Sequence, residues 1–220
     1  MTLPPALGRV LAVLLFAACS VPALAQRGAD KININGQLVI AARAGQVERV
    51  RQLLEEGAQV NSRDRNGDSP LNMAAARGNL ALVELLLGAK ADVQLANLAG
   101  VTPLMAGAFS GNAEIVRRLL SAGARTDPVD RVKKTAAVYA AGQGCIGCLE
   151  QLLQAGTPVN GRLDRDLTLL MWTAGYGQES AARLLLEKGA DRSLRDDRGK
   201  TAADIARETN HSALAQLLAP

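Results

Sequence analysis

From residue 36 onward, apolar residues recur in short runs that are separated by polar segments. A representative stretch is PLNMAAAR, residues 70–77, which is followed two residues later by LALVELLLGA, residues 80–89. Within each run the apolar residues are spaced i, i+3 and i+4, as on one face of an α-helix. The polar segment NSRDRNGD, residues 61–68, contains an Asn-Gly pair, which is a turn signal. The pattern predicts a unit of helix, tight turn, helix and extended loop.

This unit recurs with a period of 33 residues, and one step back from the first full unit reaches Gly36. Ser or Thr at the start of a unit can cap the N-terminus of its first helix. A glycine nine residues further on can adopt the left-handed conformation that ends a helix, and only the last unit has Asn210 there instead. The opening residues are Ser69, Thr102, Thr135, Thr168 and Thr201.

The repeated unit resembles the ankyrin repeat. The resemblance rests on the period, on the TPL…AA…G and LLL…GAD stretches, and on loop ends such as DRNGDSP (64–70) and DDRGKTA (196–202). It covers residues 31–220 and implies an all-α ankyrin-repeat solenoid with hairpin-like finger loops over residues 33–220. About six helix-turn-helix repeats would start near residues 36, 69, 102, 135, 168 and 201. The first and last repeats would be caps, because each repeat buries its apolar face only against a neighbour.

Two finger loops depart from this pattern. Gly67, Gly100 and Gly199 occupy one loop position in three of the units, but Lys133 and Asp166 stand there in the other two. A residue with a side chain is disfavoured at positive φ. We therefore expect these two loops to take a different shape.

The first 25 residues have the features of a secretory signal peptide. One positive charge, Arg9, precedes an apolar run over residues 10–19, and the segment ends in Ala-Leu-Ala at residues 23–25. The apolar run is shorter than the roughly 20 residues that a transmembrane helix needs. We expect cleavage after Ala25, a short linker over residues 26–32, and a periplasmic protein without a membrane span. The alternative is a lipoprotein anchored at Cys19, since FAAC resembles a bacterial lipobox.

Composition argues against several function classes. Removal of residues 1–25 lowers the net charge from +4 to +3, with both signs mixed along the chain. A nucleic-acid-binding protein is usually more one-sided, so we expect no nucleic-acid partner. His211 is the only histidine, and no phosphate-binding glycine motif is present. The sequence therefore predicts a protein that is not an enzyme, with no cofactor and no metal, and we expect a monomer.

The family resemblance also implies a concave partner-binding surface formed by the finger loops and the first helices. After residue 25 the aromatic residues are Phe109, Tyr139, Trp172 and Tyr176, and all fall in first helices of the third to fifth repeats. Interface hot spots favour Trp, Tyr and Arg, so we expect an aromatic centre with basic fingers that select an acidic rim. Tyr139 and Trp172 could instead fill space between repeats. The predicted partner-binding residues are Arg65, Arg77, Leu98, Val101, Phe109, Arg131, Val132, Lys134, Tyr139, Gln143, Arg165, Trp172 and Tyr176.

Cys145 and Cys148 form a C-x-x-C pair, a spacing found in redox dithiols, metal sites and structural disulfides. In the repeat register Cys145 matches Asn79 and Asn112, at the start of a second helix, while Cys148 matches an apolar position. An oxidising compartment favours a disulfide, which across so small a loop stabilises by about 2 kcal/mol. The alternatives are free thiols or a thiol-redox activity.

The leading hypothesis for the function of the chain is a periplasmic protein-protein interaction module. Its rivals are a thiol-redox or stress-protection protein and a secreted, host-directed effector.

Overall fold

A computed structural model of the chain describes residues 34–219. This part is all-helical, with twelve α-helices in six antiparallel pairs and no strand, so the predicted fold class is confirmed. The predicted signal peptide (1–25), the linker (26–32) and Cys19 lie outside the described residues. In chain order the helices are α1 (34–43), α2 (Val47–Glu55), α3 (Pro70–Ala76), α4 (Leu80–Gly88), α5 (Pro103–Phe109), α6 (Ala113–Ser121), α7 (Ala136–Gln143), α8 (Ile146–Gln154), α9 (Leu169–Gly175), α10 (Glu179–Glu187), α11 (Ala202–Glu208) and α12 (Ser212–Leu218).

In the five units that open with Ser or Thr, the first helix begins as the sequence predicts. The Ser69 hydroxyl accepts a hydrogen bond from the backbone N–H of Asn72 at 3.2 Å, and Thr102 accepts one from Met105 at 3.3 Å. Thr135, Thr168 and Thr201 cap α7, α9 and α11 in the same way. Each cap satisfies one of the N–H groups that a helix start leaves without an intrahelical partner.

The inter-helix turn depends on a left-handed residue. Gly144, for example, has φ +67° and ends α7. Asn210 takes the same conformation with φ +64° in the last unit. Asn is one of the few residues that visits this region readily, which explains why it can replace the glycine.

A buried leucine recurs at the same position of every second helix and links the six units into one core. Each of these side chains is at most 1% exposed. Burial of a leucine contributes about 1.5–3 kcal/mol, so this row is a large share of the core energy. The row consists of Leu53, Leu86, Leu119, Leu152, Leu185 and Leu218.

Five finger loops connect the units: the first (64–68), second (97–101), third (130–134), fourth (163–167) and fifth (196–200). The first residue of four fingers is Asp64, Asn97, Asp130 or Asp196, and its Oδ1 accepts the backbone N–H groups two and four residues later. Neighbouring fingers are also joined by a backbone bond, such as Arg131 N–H to the Ala99 carbonyl at 2.9 Å. Within residues 34–219 no equivalent bond joins the third finger to the fourth.

The expected change of shape occurs in only one of the two loops that lack glycine. Lys133 adopts φ +61°, and the third finger closes with the same Asp130 N–H to Lys134 carbonyl bond as its neighbours. The prediction for the Lys133 loop is therefore wrong, because the Asp130 side chain holds the turn in place. In the fourth finger Leu163 replaces the capping residue, and both Arg165 and Asp166 are left-handed. That loop does take a different shape.

Candidate functional site

All thirteen predicted partner-binding residues carry solvent-exposed surface. Nine are exposed, and Val101, Lys134, Tyr139 and Trp172 are half-buried. Phe109 and Tyr176 stand out because 54% and 50% of these large apolar side chains face solvent. Both lie at the C-terminal ends of first helices, Phe109 as the last residue of α5 and Tyr176 directly after α9.

The structure brings four of the predicted residues together as an aromatic cluster, which consists of Phe109, Tyr139, Trp172 and Tyr176. The Phe109 and Tyr139 rings meet edge to face with centroids 5.8 Å apart. The Trp172 and Tyr176 rings are stacked at 5.9 Å. The Lys134 ammonium bridges the two pairs, 5.6 Å from the Tyr139 centroid and 5.1 Å from the Trp172 centroid. Both distances fall within the range of cation–π attraction.

Tyr139 is held in place by the third finger. Its hydroxyl donates a hydrogen bond to Oδ2 of Asp130, whose other oxygen caps the finger turn. Burial, and then this bond to Asp130, raises the pKa of the Tyr139 phenol above its ordinary value of 10. The phenol therefore remains a neutral donor to Asp130.

Tyr139 and Trp172 lie between the hydrophobic core and the exposed rings of the cluster. Each is half-buried and packs against the hydrophobic core on one side. Each also contacts a more exposed ring of the cluster on the other side. The two residues thus fill space between repeats and support Phe109 and Tyr176 at the surface.

Two hollows flank the Phe109–Tyr139 pair. The first hollow, of about 330 Å³, has mainly apolar walls that include Ala76, Val101 and Met105, with Asp68 and Asn97 also in its lining. The second hollow, of about 320 Å³, is lined by Lys134, Val138, Gly142, Gln143 and Tyr176. Phe109 and Tyr139 belong to both linings. The pair therefore forms a ridge between an apolar hollow and a hollow that contains a cation.

A larger cleft lies elsewhere. It encloses about 1070 Å³ between α1 and the first finger, with Asn35, Arg43, Asp64 and Arg65 among its lining residues. Arg65 is the only predicted partner-binding residue in this cleft. Its lining mixes charged residues with apolar ones such as Val39 and Ile40, and none of the four aromatic residues of the cluster lies in it.

Ion pairs divide the finger loops into two groups. Arg165 of the fourth finger contacts Asp197 at 3.0 Å, and in the fifth finger Arg198 contacts Asp196 at 2.7 Å. Within residues 34–219, the three cations of the third finger, Arg131, Lys133 and Lys134, have no carboxylate oxygen within 4.0 Å. The rim cations without a carboxylate partner in the described residues are therefore those of the third finger, together with Arg65 of the first finger.

Asp196 shows how strongly the fifth finger neutralises its own charge. Burial acts to raise the pKa of this carboxyl, but the backbone N–H of Lys200 and the Arg198 guanidinium outweigh it and hold the pKa below 3.8. The same contact raises the pKa of Arg198. Arg198 is thus engaged within its own loop.

Asp130 was not among the predicted residues, although it positions Tyr139. The signal was available in the sequence, because Asp64, Asn97, Asp130 and Asp196 share one register position of the 33-residue repeat. An Asp or Asn there is typical of a turn in which the side chain accepts local backbone N–H groups.

The cysteine pair lies at the start of α8, as its register predicted. Cys145 is the N-cap residue, and its sulfur accepts the backbone N–H of Cys148 at 3.2 Å. The two sulfurs are adjacent, with Cα atoms 5.2 Å apart. Cys145 is partly exposed and Cys148 is fully buried.

In the described part of the chain, no group of three or more His, Cys, Asp or Glu residues could hold a metal ion. No helix there is long and apolar enough to cross a membrane.

Comparison with known proteins agrees with the geometry. The family model for ankyrin repeats (3 copies) matches residues 17–97, 38–131, 74–162 and 137–220. The crystal structure of EF0377, an ankyrin repeat protein, superposes with a TM-score of 0.75 at 27% identity, over 83% of this chain and 96% of the other. A search of curated proteins gave no match. Because the family model spans most of the sequence, the chain belongs to the ankyrin-repeat family.

Proposed function

We propose that this protein is a non-enzymatic, monomeric interaction module that binds a partner protein over the aromatic cluster. Ankyrin repeats are generally protein-protein interaction modules, and their fold is typical of proteins without catalytic activity. The observation that carries the proposal is the exposure of Phe109 and Tyr176, each about half open to solvent in a hollow that also contains Lys134.

The energy of such binding would come from the centre of the cluster. Tyr139 and Trp172 are fixed by core packing, so little side-chain entropy is lost when a partner covers them. Phe109 and Tyr176 still have apolar surface to bury. Anchors that are already rigid bind more tightly, because less ordering is needed on association. The third finger adds Arg131 and Lys134 at the edge of the same surface.

The groove variant that tests this proposal is Phe109→Ala with Tyr176→Ala, two residues whose exposed side chains support little of the core. We expect loss of the crosslinked partner from a periplasmic extract, with unchanged helical circular dichroism. Trp172→Ala can be added, although it also removes core contacts. The matched control is Ser121→Ala with Arg183→Ala on exposed positions of α6 and α10. If the folded groove variant retains its partner as well as the control does, the proposal is wrong.

We further propose that the protein acts in the periplasm after removal of residues 1–25. The support is the sequence of the N-terminus, which has a charged start, a short apolar run and an Ala-x-Ala site. Mass spectrometry of the mature protein distinguishes Gln26 at the N-terminus from a lipidated Cys19. Cell fractionation then tests the host-directed alternative, which requires release beyond the cell envelope.

Cys145 and Cys148 are proposed to form a structural disulfide that fixes the first turn of α8. A thiol-redox role is a second candidate, since Cys145 is partly exposed at a helix N-terminus, where a thiolate is stabilised. Thiol counting under denaturing conditions should find neither cysteine free. A reduction potential below about −300 mV supports the structural role, whereas a value well above it favours exchange chemistry.

A further inference from the structure

Two lysines at the same register position of the repeat have opposite surroundings. Lys200 of the fifth finger contacts Glu208 at 2.9 Å. Lys134 lies 66 residues earlier, and the position equivalent to Glu208 is Gly142, which has no side chain. The Lys134 ammonium therefore rests over the Tyr139 and Trp172 rings without a carboxylate within 4.0 Å in the described residues. An anion from outside the chain can take the place that Glu208 fills for Lys200.

Other cations on the same face point to the same kind of partner. Arg131 and Lys133 are exposed on the third finger, and Arg77 is exposed at the end of α3. Among residues 34–219 none of the three contacts a carboxylate within 4.0 Å. The fourth and fifth fingers have their arginines paired. A negative segment therefore gains attraction at the third finger that the fourth and fifth fingers do not offer.

The two hollows give this segment an orientation. The first hollow is mainly apolar, and the carboxylate in its lining, Asp68, already accepts a hydrogen bond from the Asn97 side chain at 2.7 Å. An acidic side chain would be repelled there, while a large apolar one fits. The second hollow contains Lys134 and no acidic residue. The ridge formed by Phe109 and Tyr139 separates the two.

From these contacts we infer that the groove binds an acidic peptide segment of the partner that carries one bulky apolar side chain. The apolar side chain fills the first hollow, and a carboxylate of the segment pairs with Lys134 over the second. This inference rests on the proposed function and names the chemistry of its partner.

The test uses synthetic peptides and Trp172, which is the only tryptophan of the chain and lies beside Lys134. The probe is a nine-residue Asp/Glu peptide with a central Leu, and its binding is followed by Trp172 fluorescence and by the anisotropy of a labelled copy. We expect saturable binding that weakens roughly tenfold or more when Leu is replaced by Ser. The same peptide with Asn and Gln in place of the acids should bind weakly. Equal binding of the neutral peptide, or no binding up to about 1 mM, overturns the inference.

Protein variants test the role of Lys134. Lys134→Met keeps most of the side-chain stem but removes the charge, and we expect it to weaken the acidic peptide about three- to tenfold and to reduce the salt dependence. Lys200→Met is the matched control and should have no effect. Gly142→Glu supplies an internal partner for Lys134. The three atoms nearest to a Cβ at this position are Tyr176 carbons at 3.5 Å or more, so the variant is expected to fold and to compete with the peptide. Equal weakening by Lys200→Met overturns the inference.

These results are distinguishable from a failure of the proposed function. If the Phe109 and Tyr176 variant loses its partner while acidic peptides do not bind, the groove is the interaction surface and the acidic segment is wrong. If that variant keeps its partner, the proposed function itself fails, whatever the peptides do.

Discussion

The third and fifth finger loops share a backbone turn but present different surfaces. In each loop an aspartate, Asp130 or Asp196, accepts the backbone N–H groups two and four residues later. The second carboxylate oxygen of Asp130 accepts the Tyr139 hydroxyl, whereas that of Asp196 accepts the Arg198 guanidinium. One loop thereby fixes an aromatic ring, and the other neutralises its own cation.

This difference traces to the first helix that follows each finger. Tyr139 of α7 has Ile205 as its counterpart in α11, and isoleucine cannot donate a hydrogen bond to Asp196. Gly142 of α7 has Glu208 as its counterpart, so only the fifth finger has a carboxylate for its lysine. The residues of the helix that follows a finger loop thus determine whether the lysine of that loop is paired with a carboxylate. A repeat scaffold can in this way vary its binding face without altering its fold.

Asp130→Ala should have the largest effect on the third finger. It removes the acceptor for two backbone N–H groups and for the Tyr139 hydroxyl, so we expect a loss of about 2–3 kcal/mol in the free energy of unfolding. Urea denaturation followed by circular dichroism measures the change. Asp130→Asn is the control, because Asn97 caps the second finger with the same two bonds. Equal losses for the two variants would show that the cap does not hold the turn.

Exchanging the left-handed residues of the two loops should have an intermediate effect. Lys133 has φ +61° and Gly199 has φ +74°. Lys133→Gly is expected to stabilise by about 0.5–1 kcal/mol, since relief of a left-handed side chain exceeds the entropy gained by the unfolded chain. Gly199→Ala should destabilise by about 1–2 kcal/mol, although its Cβ meets no atom within 4 Å. The two midpoints in thermal unfolding should move in opposite directions, and movement in the same direction would refute the comparison.

Removing one arginine from the third finger and one from the fifth compares the stability contribution of a cation without a carboxylate partner with that of a paired one. Arg198→Ala removes the guanidinium that contacts buried Asp196, and we expect a measurable loss in the free energy of unfolding. Arg131→Ala removes a cation without a carboxylate neighbour among the described residues, so stability should change by less than about 0.5 kcal/mol. Chemical denaturation of both variants under the same salt conditions gives the answer. A larger loss for Arg131→Ala would contradict the assigned ion pairs.

The fifth finger should also respond to acid, with the smallest effect. The folded-state pKa of Asp196 is held below 3.8, so its contribution to stability is present above that pH and is lost as the pH falls through the lowered value. The difference in melting temperature between the native protein and Asp196→Asn should be constant near neutral pH and shrink below about pH 4. A difference that grows on acidification would mean that the sign of the pKa shift is wrong.

Much of this structure could be predicted from the sequence, because the residues that specify each structural feature recur every 33 residues. The 33-residue register located the N-caps, the left-handed glycines and the start of α8. The prediction failed for the loop that contains Lys133. A residue with a side chain is disfavoured at positive φ, but the side chain of Asp130 stabilises this turn. A propensity describes one residue at a time, whereas this loop is held by a partner three residues away.

The candidate site was less accessible to prediction. The sequence placed the four aromatic residues in neighbouring first helices, and the structure brings them together. It did not show that Arg165 would be engaged by Asp197, or that Lys134 would lie between two rings. Such pairings depend on where side chains from different repeats meet. That geometry is set by packing rather than by the order of residues in one repeat.

Site-specific photocrosslinking tests the central claim most directly. A photoreactive amino acid is placed at Val132, which is 66% exposed on the third finger, or at Ser121, which is exposed on α6. The protein is irradiated in cells and its adducts are identified by mass spectrometry. Binding over the aromatic cluster predicts a specific partner adduct from Val132 and none from Ser121. The same adduct from Ser121 alone, or in equal yield from both positions, would contradict it.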